Sequence, residues 1–167
     1  MYIAAGNLFI GSFDLSNALN APLESTRFGV QFYKKPVSLK GYYRYKRGEE
    51  FTEDGQVVEG KEDSFDIYAM LYEADDSAFM LDGANGKTDR SIVLLAQIDQ
   101  ADALETDQWT EFEIPFESMN GKTVDMQKLE DGKYKLGIVF SSSIEGNYFK
   151  GAVGSTLWVD EVELVCE

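Results

Sequence analysis

The sequence has 167 residues, enough for one domain with its own core. Asp and Glu number 30 against 15 Lys and Arg, a formal net charge of −15, which argues against nucleic-acid backbones and anionic lipid as partners. With no His and a single Cys, Cys166, the chain cannot assemble a tetrahedral zinc site or a His-based triad; only oxygen-ligated metals such as calcium stay open.

The opening Met1-Tyr2-Ile3-Ala4-Ala5 reads as the start of a piece cut from a longer chain, and no secretory signal or apolar membrane span is visible. Residues 15–19 allow one helical turn, and residues 28–33 (FGVQFY) a strand. Residues 39–46 (LKGYYRYK) alternate with a period of two, which marks a half-buried strand. Leu39, Tyr43 and Tyr45 then face the core, while Lys40, Tyr42, Arg44 and Lys46 face outward. Residues 65–73 repeat the pattern: Phe65, Ile67, Ala69 and Leu71 point inward, and Asp66, Tyr68, Met70 and Tyr72 outward. Residues 91–98 form an apolar run suited to a more buried strand. Residues 99–105 allow about two helical turns with Asp99 as N-cap.

Residues 109–116 place Thr110, Phe112, Ile114 and Phe116 on one face, with Glu111 and Glu113 opposite. Residues 133–140 align Tyr134, Leu136, Ile138 and Phe140. The segment 141–155 (SSSIEGNYFKGAVGS) is a loop, in which Phe149 suits an anchor on the core and Tyr148 is open to either packing or ligand contact. Residues 156–165 close the chain as a strand. Repeated period-two strands, glycine-made turns and thin helical signal predict an all-β fold over residues 1–167. The expected form is a single two-sheet antiparallel jelly-roll β-sandwich with at most short helical turns.

Several motifs are tested and set aside. Asn-Gly-Lys-Thr occurs at 85–88 and at 120–123, but a phosphate loop needs a Gly where Leu81 and Phe116 stand. Asn-Gly suits hairpin turns instead. Glycosidases need two carboxyls flanking the scissile bond. Glu111-Phe112-Glu113 and Asp160-Glu161-Val162-Glu163 come nearest, yet each lacks the central Asp of the jelly-roll glucanase strand motif, so no catalytic residue is assigned. The outward tyrosines carry more weight. Flat amphipathic rings beside charged groups suit sugars, whose C–H faces stack while their hydroxyls form hydrogen bonds. Tyr42, Arg44, Tyr68 and Tyr72, with Tyr148 from the long loop, are the candidate ligand site; plain sheet packing of the same tyrosines is the alternative.

The segments VSLKGYYRYKRGEEF (37–51), DSFDIYAMLYE (63–73), LDGANGKTDRSIVLLAQI (81–98), WTEFEIPFE (109–117) and GKYKLGIVFSSSIEGNYFKGAVGSTLWVDEVEL (132–164) occur in that order. Together they resemble the putative carbohydrate metabolism domain, a family found mostly in lipoproteins of Gram-negative gut anaerobes. The resemblance implies a jelly roll similar to carbohydrate-binding modules. It also implies an immunoglobulin-like domain upstream and an exported setting, in the periplasm or at the outer-membrane surface, held to the membrane only by a lipid anchor outside this chain. The closing strand also resembles that of sugar-binding jelly rolls, in which an Asp placed like Asp160 helps hold a structural calcium. Asp14 is the candidate partner, although the usual first-strand residue is Glu; capping by backbone N–H groups is the competing reading of both. The expectation is a non-catalytic glycan-recognition module without a required cofactor. A glycoside hydrolase, or a domain binding protein in adhesion or assembly at the cell surface, is the alternative.

Overall fold

A computed structural model describes residues 3–16, 18 and 20–167. In chain order the elements are β1 (Asn7–Phe9), β2 (Gly11–Phe13), α1 (Pro22–Ser25), β3 (Thr26–Phe28), β4 (Val30–Phe32), β5 (Pro36–Lys46), β6 (Phe51–Glu53), β7 (Gln56–Val57) and β8 (Asp66–Glu73). There follow β9 (Leu81–Asp82), β10 (Ile92–Gln97), β11 (Thr106–Pro115), β12 (Glu117–Ser118), α2 (Met126–Glu130), β13 (Tyr134–Ser141), β14 (Gly151–Ala152) and β15 (Thr156–Cys166). All the pairings are antiparallel. The main sheet runs β1-β13-β8-β10-β12, with β4 on the same edge of β13 as β1. The second sheet runs β11-β5-β15. The pairs β5–β15 and β8–β13 nest one inside the other while alternating between the sheets, the jelly-roll arrangement expected from the sequence.

The core lies where the two sheets face each other, and the residues that fill it follow from strand parity. Leu39, Tyr43 and Tyr45 of β5 meet Phe65, Ile67, Ala69 and Leu71 from β8 and the residue before it, joined by Leu136, Ile138, Phe112 and Ile114. Tyr43 and Tyr45 both lie within 5 Å of the Phe65 ring.

The opposite face of the main sheet is also buried. A small sheet, β2-β3-β9, lies over it and traps a second apolar cluster of Phe28, Tyr68, Met70, Tyr72, Leu81 and Ile92. Gly29 makes this cover feasible. The expected strand 28–33 is split there, at φ +102°, so that β3 serves the cover and β4 the main-sheet edge. A side chain at Gly29 would also collide with Tyr72, whose hydroxyl lies 2.9 Å from an added Cβ.

Among the described residues α-helix is confined to two short elements the sequence reading did not place, with a single 3-10 turn at Gly146–Tyr148. In α2, Asp125 accepts hydrogen bonds from the Gln127 and Lys128 amides, a regular N-cap. At 99–105 Asp99 does accept from the Ala101 amide, but the chain forms only a turn. The turn expected over 15–19 lies partly outside the described residues. Of the two Asn-Gly strings, only 120–123 makes the left-handed turn, with Asn120 at φ 57° and Gly121 at φ 67°, and it links β12 to α2 rather than two paired strands. The string 85–88 forms consecutive helical-type turns, with Gly86 and Asn85 amides donating to Asp82.

Candidate functional site

Cover and main sheet do not close completely. Between them, and under the loop after β13, lies a cavity of about 400 Å³. On its floor, β8 contributes Asp66 and Tyr68, which point away from the core by the alternation that sends Phe65 and Ile67 into it. Asp66 is almost wholly buried and fully engaged. It accepts a 2.8 Å bond from Lys87 and two from the Gln97 amide at 3.2 and 3.1 Å. Lys87, the lysine of the first Asn-Gly-Lys-Thr string, thus pairs with a carboxylate and rests 5.1 Å from the centre of the Tyr68 ring. Tyr68 is 8% exposed, and its hydroxyl meets no protein partner among the described residues. Burial above all, and then the nearby Asp66 charge, pushes its phenol pKa up, so it is a protonated donor at neutral pH.

Aromatic rings make part of the cavity wall, Phe28, Phe13 from β2, and Tyr148 and Phe149 from the loop, beside small and aliphatic residues such as Ala5, Leu23 and Val139. Phe149, expected to anchor on the core, is instead 36% exposed and sits at φ 59°; Tyr148 is 58% exposed. A buried carboxylate holds this loop in place. Asp63 Oδ2 accepts hydrogen bonds from Ser143 Oγ, the Ala152 amide and Ser155 Oγ at 2.6–2.8 Å, while Oδ1 accepts from the Ser64 amide. The serines of SSSIEGNYFKGAVGS therefore clamp the two ends of the loop to one acid. Lys61–Glu145 and Lys150–Glu53 ion pairs tie down its middle.

The five predicted ligand residues do not form one platform. Tyr68 and Tyr148 line the cavity. Tyr72 is wholly buried and donates a 2.6 Å hydrogen bond to the Phe28 carbonyl, so it holds the cover down. Tyr42 and Arg44 lie on the second sheet, on the far side of the sandwich. The proposed cross-strand contact between residues 39–46 and 65–73 fails because β5 and β8 belong to opposing sheets; β5 pairs with β11 and β15.

On that far face Arg44 lies between two tryptophans missed as candidates. Its guanidinium carbon is 4.7 Å from the Trp109 ring centre and 5.2 Å from that of Trp158. The signal was in the strands already recognised: Trp109 shares parity with Glu111, and Trp158 with Asp160. Lys87 and Gln97 were not among the candidates and Asp66 entered only as an outward neighbour of the tyrosines, because only long-range pairing brings the three together.

A second concavity, a groove of about 830 Å³ along β11, is bordered by Asp99, Asp102, Glu111, Glu113 and Glu117. Glu113 accepts a 3.0 Å bond from Ser38 Oγ. The two calcium candidates, Asp14 and Asp160, stand on different elements. Asp14 follows β2 of the small sheet, and Asp160 lies on β15 of the second sheet. Asp160 accepts from the Glu161 amide at 2.8 Å, and Asp14 from Ser16. Among the described residues no group of three or more acidic or Cys side chains could hold a metal ion.

This geometry can be set beside known proteins. A family model described as a putative carbohydrate metabolism domain matches residues 1–165. The crystal structure of a putative glycoside hydrolase from Bacteroides thetaiotaomicron is 54% identical with a TM-score of 0.94, over 98% of this chain and 48% of that one. A second putative glycoside hydrolase, from Bacteroides vulgatus, is 47% identical with a TM-score of 0.90, over 98% of this chain and 65% of that one. The chain thus spans about half of the first protein and under two thirds of the second. No curated protein matches it.

Proposed function

Because the chain belongs to the putative carbohydrate metabolism domain family, we propose that it is a carbohydrate-binding domain that takes glycan into the cavity above Tyr68. The observation that carries this reading is the cavity's construction. Its volume falls in the range of small-molecule sites, roughly 300–1,000 Å³. Its wall includes the rings of Phe13, Phe28, Tyr148 and Phe149, and its floor offers Lys87 and, among the described residues, an unpartnered Tyr68 hydroxyl as donors to sugar oxygens. Among the described residues, Asp66 is the only carboxylate lining it. Both of its oxygens are already engaged, so the cavity lacks the second acid that glycoside hydrolysis ordinarily requires. Binding without turnover is what such a site supports. Stacking adds only about 1 kcal/mol per ring pair beyond buried area, so affinity is weak and an exported, surface-held chain gains by multivalency.

A glycan array followed by calorimetry on the hits tests this. Tyr68→Phe and Lys87→Met should each weaken binding about tenfold or more, as loss of a buried donor to a sugar hydroxyl does. Silence across neutral plant, host and bacterial glycans, or binding untouched by both substitutions, would refute it.

The hydrolase reading rests on a different place, the acid-bordered groove along β11. Sugar release from a chromogenic glycoside or polysaccharide that vanishes in Glu111→Gln or Glu113→Gln would establish it and displace the binding-only reading.

A further inference from the structure

The outer face of the β11-β5-β15 sheet carries a second constellation, remote from the cavity. Along β5 the outward side chains read Lys40, Tyr42, Arg44 and Lys46, three of them cations in a protein of net charge −15. The two ends of the row differ. Lys40 is flanked by Glu113 on β11 and Glu163 on β15, and it pairs with Glu163 at 3.1 Å. Arg44 is flanked by Trp109 and Trp158, and Lys46 lies opposite Thr156. Neither Arg44 nor Lys46 makes an ion pair among the described residues, and no protein acceptor takes up the Arg44 guanidinium. The Arg44 Nε is buried.

The two tryptophans are 46% and 40% exposed, so each keeps ring surface open while holding the guanidinium between them. A planar fork of donors fixed in this way matches a carboxylate, which it can bind through two parallel hydrogen bonds. Lys46 adds a second uncompensated charge, and the exposed indoles add stacking surface for a pyranose ring.

We propose that Trp109, Arg44, Trp158 and Lys46 form a second site that binds carboxylated sugar, a uronic-acid unit within a glycan chain. The indoles stack on the sugar ring, Arg44 takes the carboxylate and Lys46 strengthens the local field. This site shares with the cavity reading only the premise that the ligand is a glycan.

Calorimetry with oligogalacturonate tests it. The wild-type chain should bind the free acid, with affinity falling as salt rises, and should bind the methyl ester at least about tenfold more weakly through loss of the charged acceptor. Arg44→Gln should weaken binding about tenfold or more, and Lys46→Gln, at a fully surface position, by a few-fold. Trp158→Ala should weaken binding while thermal unfolding confirms the fold. Lys87→Met, in the cavity, should leave oligogalacturonate binding unchanged. If Lys87→Met alone abolishes that binding, the acid enters the cavity and this proposal fails while the cavity reading stands. The proposal also fails if the ester binds equally, if Arg44→Gln and Lys46→Gln are both silent, if oligogalacturonate does not bind, or if a poly-glutamate peptide binds as tightly.

Discussion

Tyr42 on β5 and Tyr68 on β8 occupy equivalent places in their strands. Each stands on the parity opposite to the core residues, beside a charged neighbour, on the outer face of its sheet. Tyr42 remains partly exposed, flanked by Glu111 and Asp160 on the adjacent strands. Tyr68 is buried beneath Phe28, whose ring meets it edge-on at 6.5 Å, and under the small sheet that Phe28 belongs to. The contrast shows that alternation determines which side of a strand a residue takes, while a third layer determines whether that side meets water. It also separates two kinds of candidate site: a walled cavity where the cover stops short, and an open surface that none of the described elements covers.

The largest effect that can break this contrast is at the cover itself. Phe28→Ala should cost about 3–4 kcal/mol in denaturant unfolding, as truncation of a buried Phe does. Tyr42→Ala on the open face should stay within about 0.5 kcal/mol. Equal losses would mean that the two faces are energetically alike. Nearly as large is the expected effect of Asp63→Ala, which strands the Ser143 and Ser155 hydroxyls and the Ala152 amide; about 3 kcal/mol follows from losing charge-assisted bonds at a buried acceptor. Limited proteolysis within 141–155 should then rise, and glycan binding in the cavity should fall with it.

A third measurement compares tyrosines by alkaline titration. Burial raises the phenol pKa of Tyr72 to about 12, and likewise that of Tyr45 in the central core. A pKa raised on folding contributes stability that is complete below the unfolded value, near 10, and is lost as pH climbs through 12. Alkaline unfolding in that window should be shallower for Tyr72→Phe, which at neutral pH loses only about 1 kcal/mol with its bond to the Phe28 carbonyl. Smallest is the acid limb. Hydrogen bonds from Lys122, and then Lys128, hold the Glu73 carboxyl below its usual range. That contribution is present above the ordinary carboxylate pKa and disappears as pH falls through the depressed value. Glu73→Gln should therefore flatten stability against pH on the acid side, and on the alkaline side it removes the upward shift that Glu73 gives Lys128.

Period-two spacing is a local property, readable wherever five or more residues alternate, and it correctly directed Leu39, Tyr43, Phe65, Ile67, Phe112 and Ile138 into one core. It also gave the outward direction of Tyr42, Arg44 and Tyr68. It could not place them on a common surface, since β5 and β8 are consecutive long strands that the fold assigns to opposite sheets. The cover was equally hidden. Its strands have two or three residues each, too short for any period, and they come from positions 11–13, 26–28 and 81–82. Only their pairing buries Tyr72 and leaves a cavity over Tyr68. In the same way Asp66, Lys87 and Gln97 are ordinary polar residues of a strand, a turn and another strand until β8 and β10 pair, and Trp109, Arg44 and Trp158 align only when β5 lies between β11 and β15. The sequence by itself determined strands, their inward faces and a jelly roll of carbohydrate-related kind. Long-range strand pairing, whose contacts are set by the whole chain and not by any local window, decided which faces are covered and where ligand can reach.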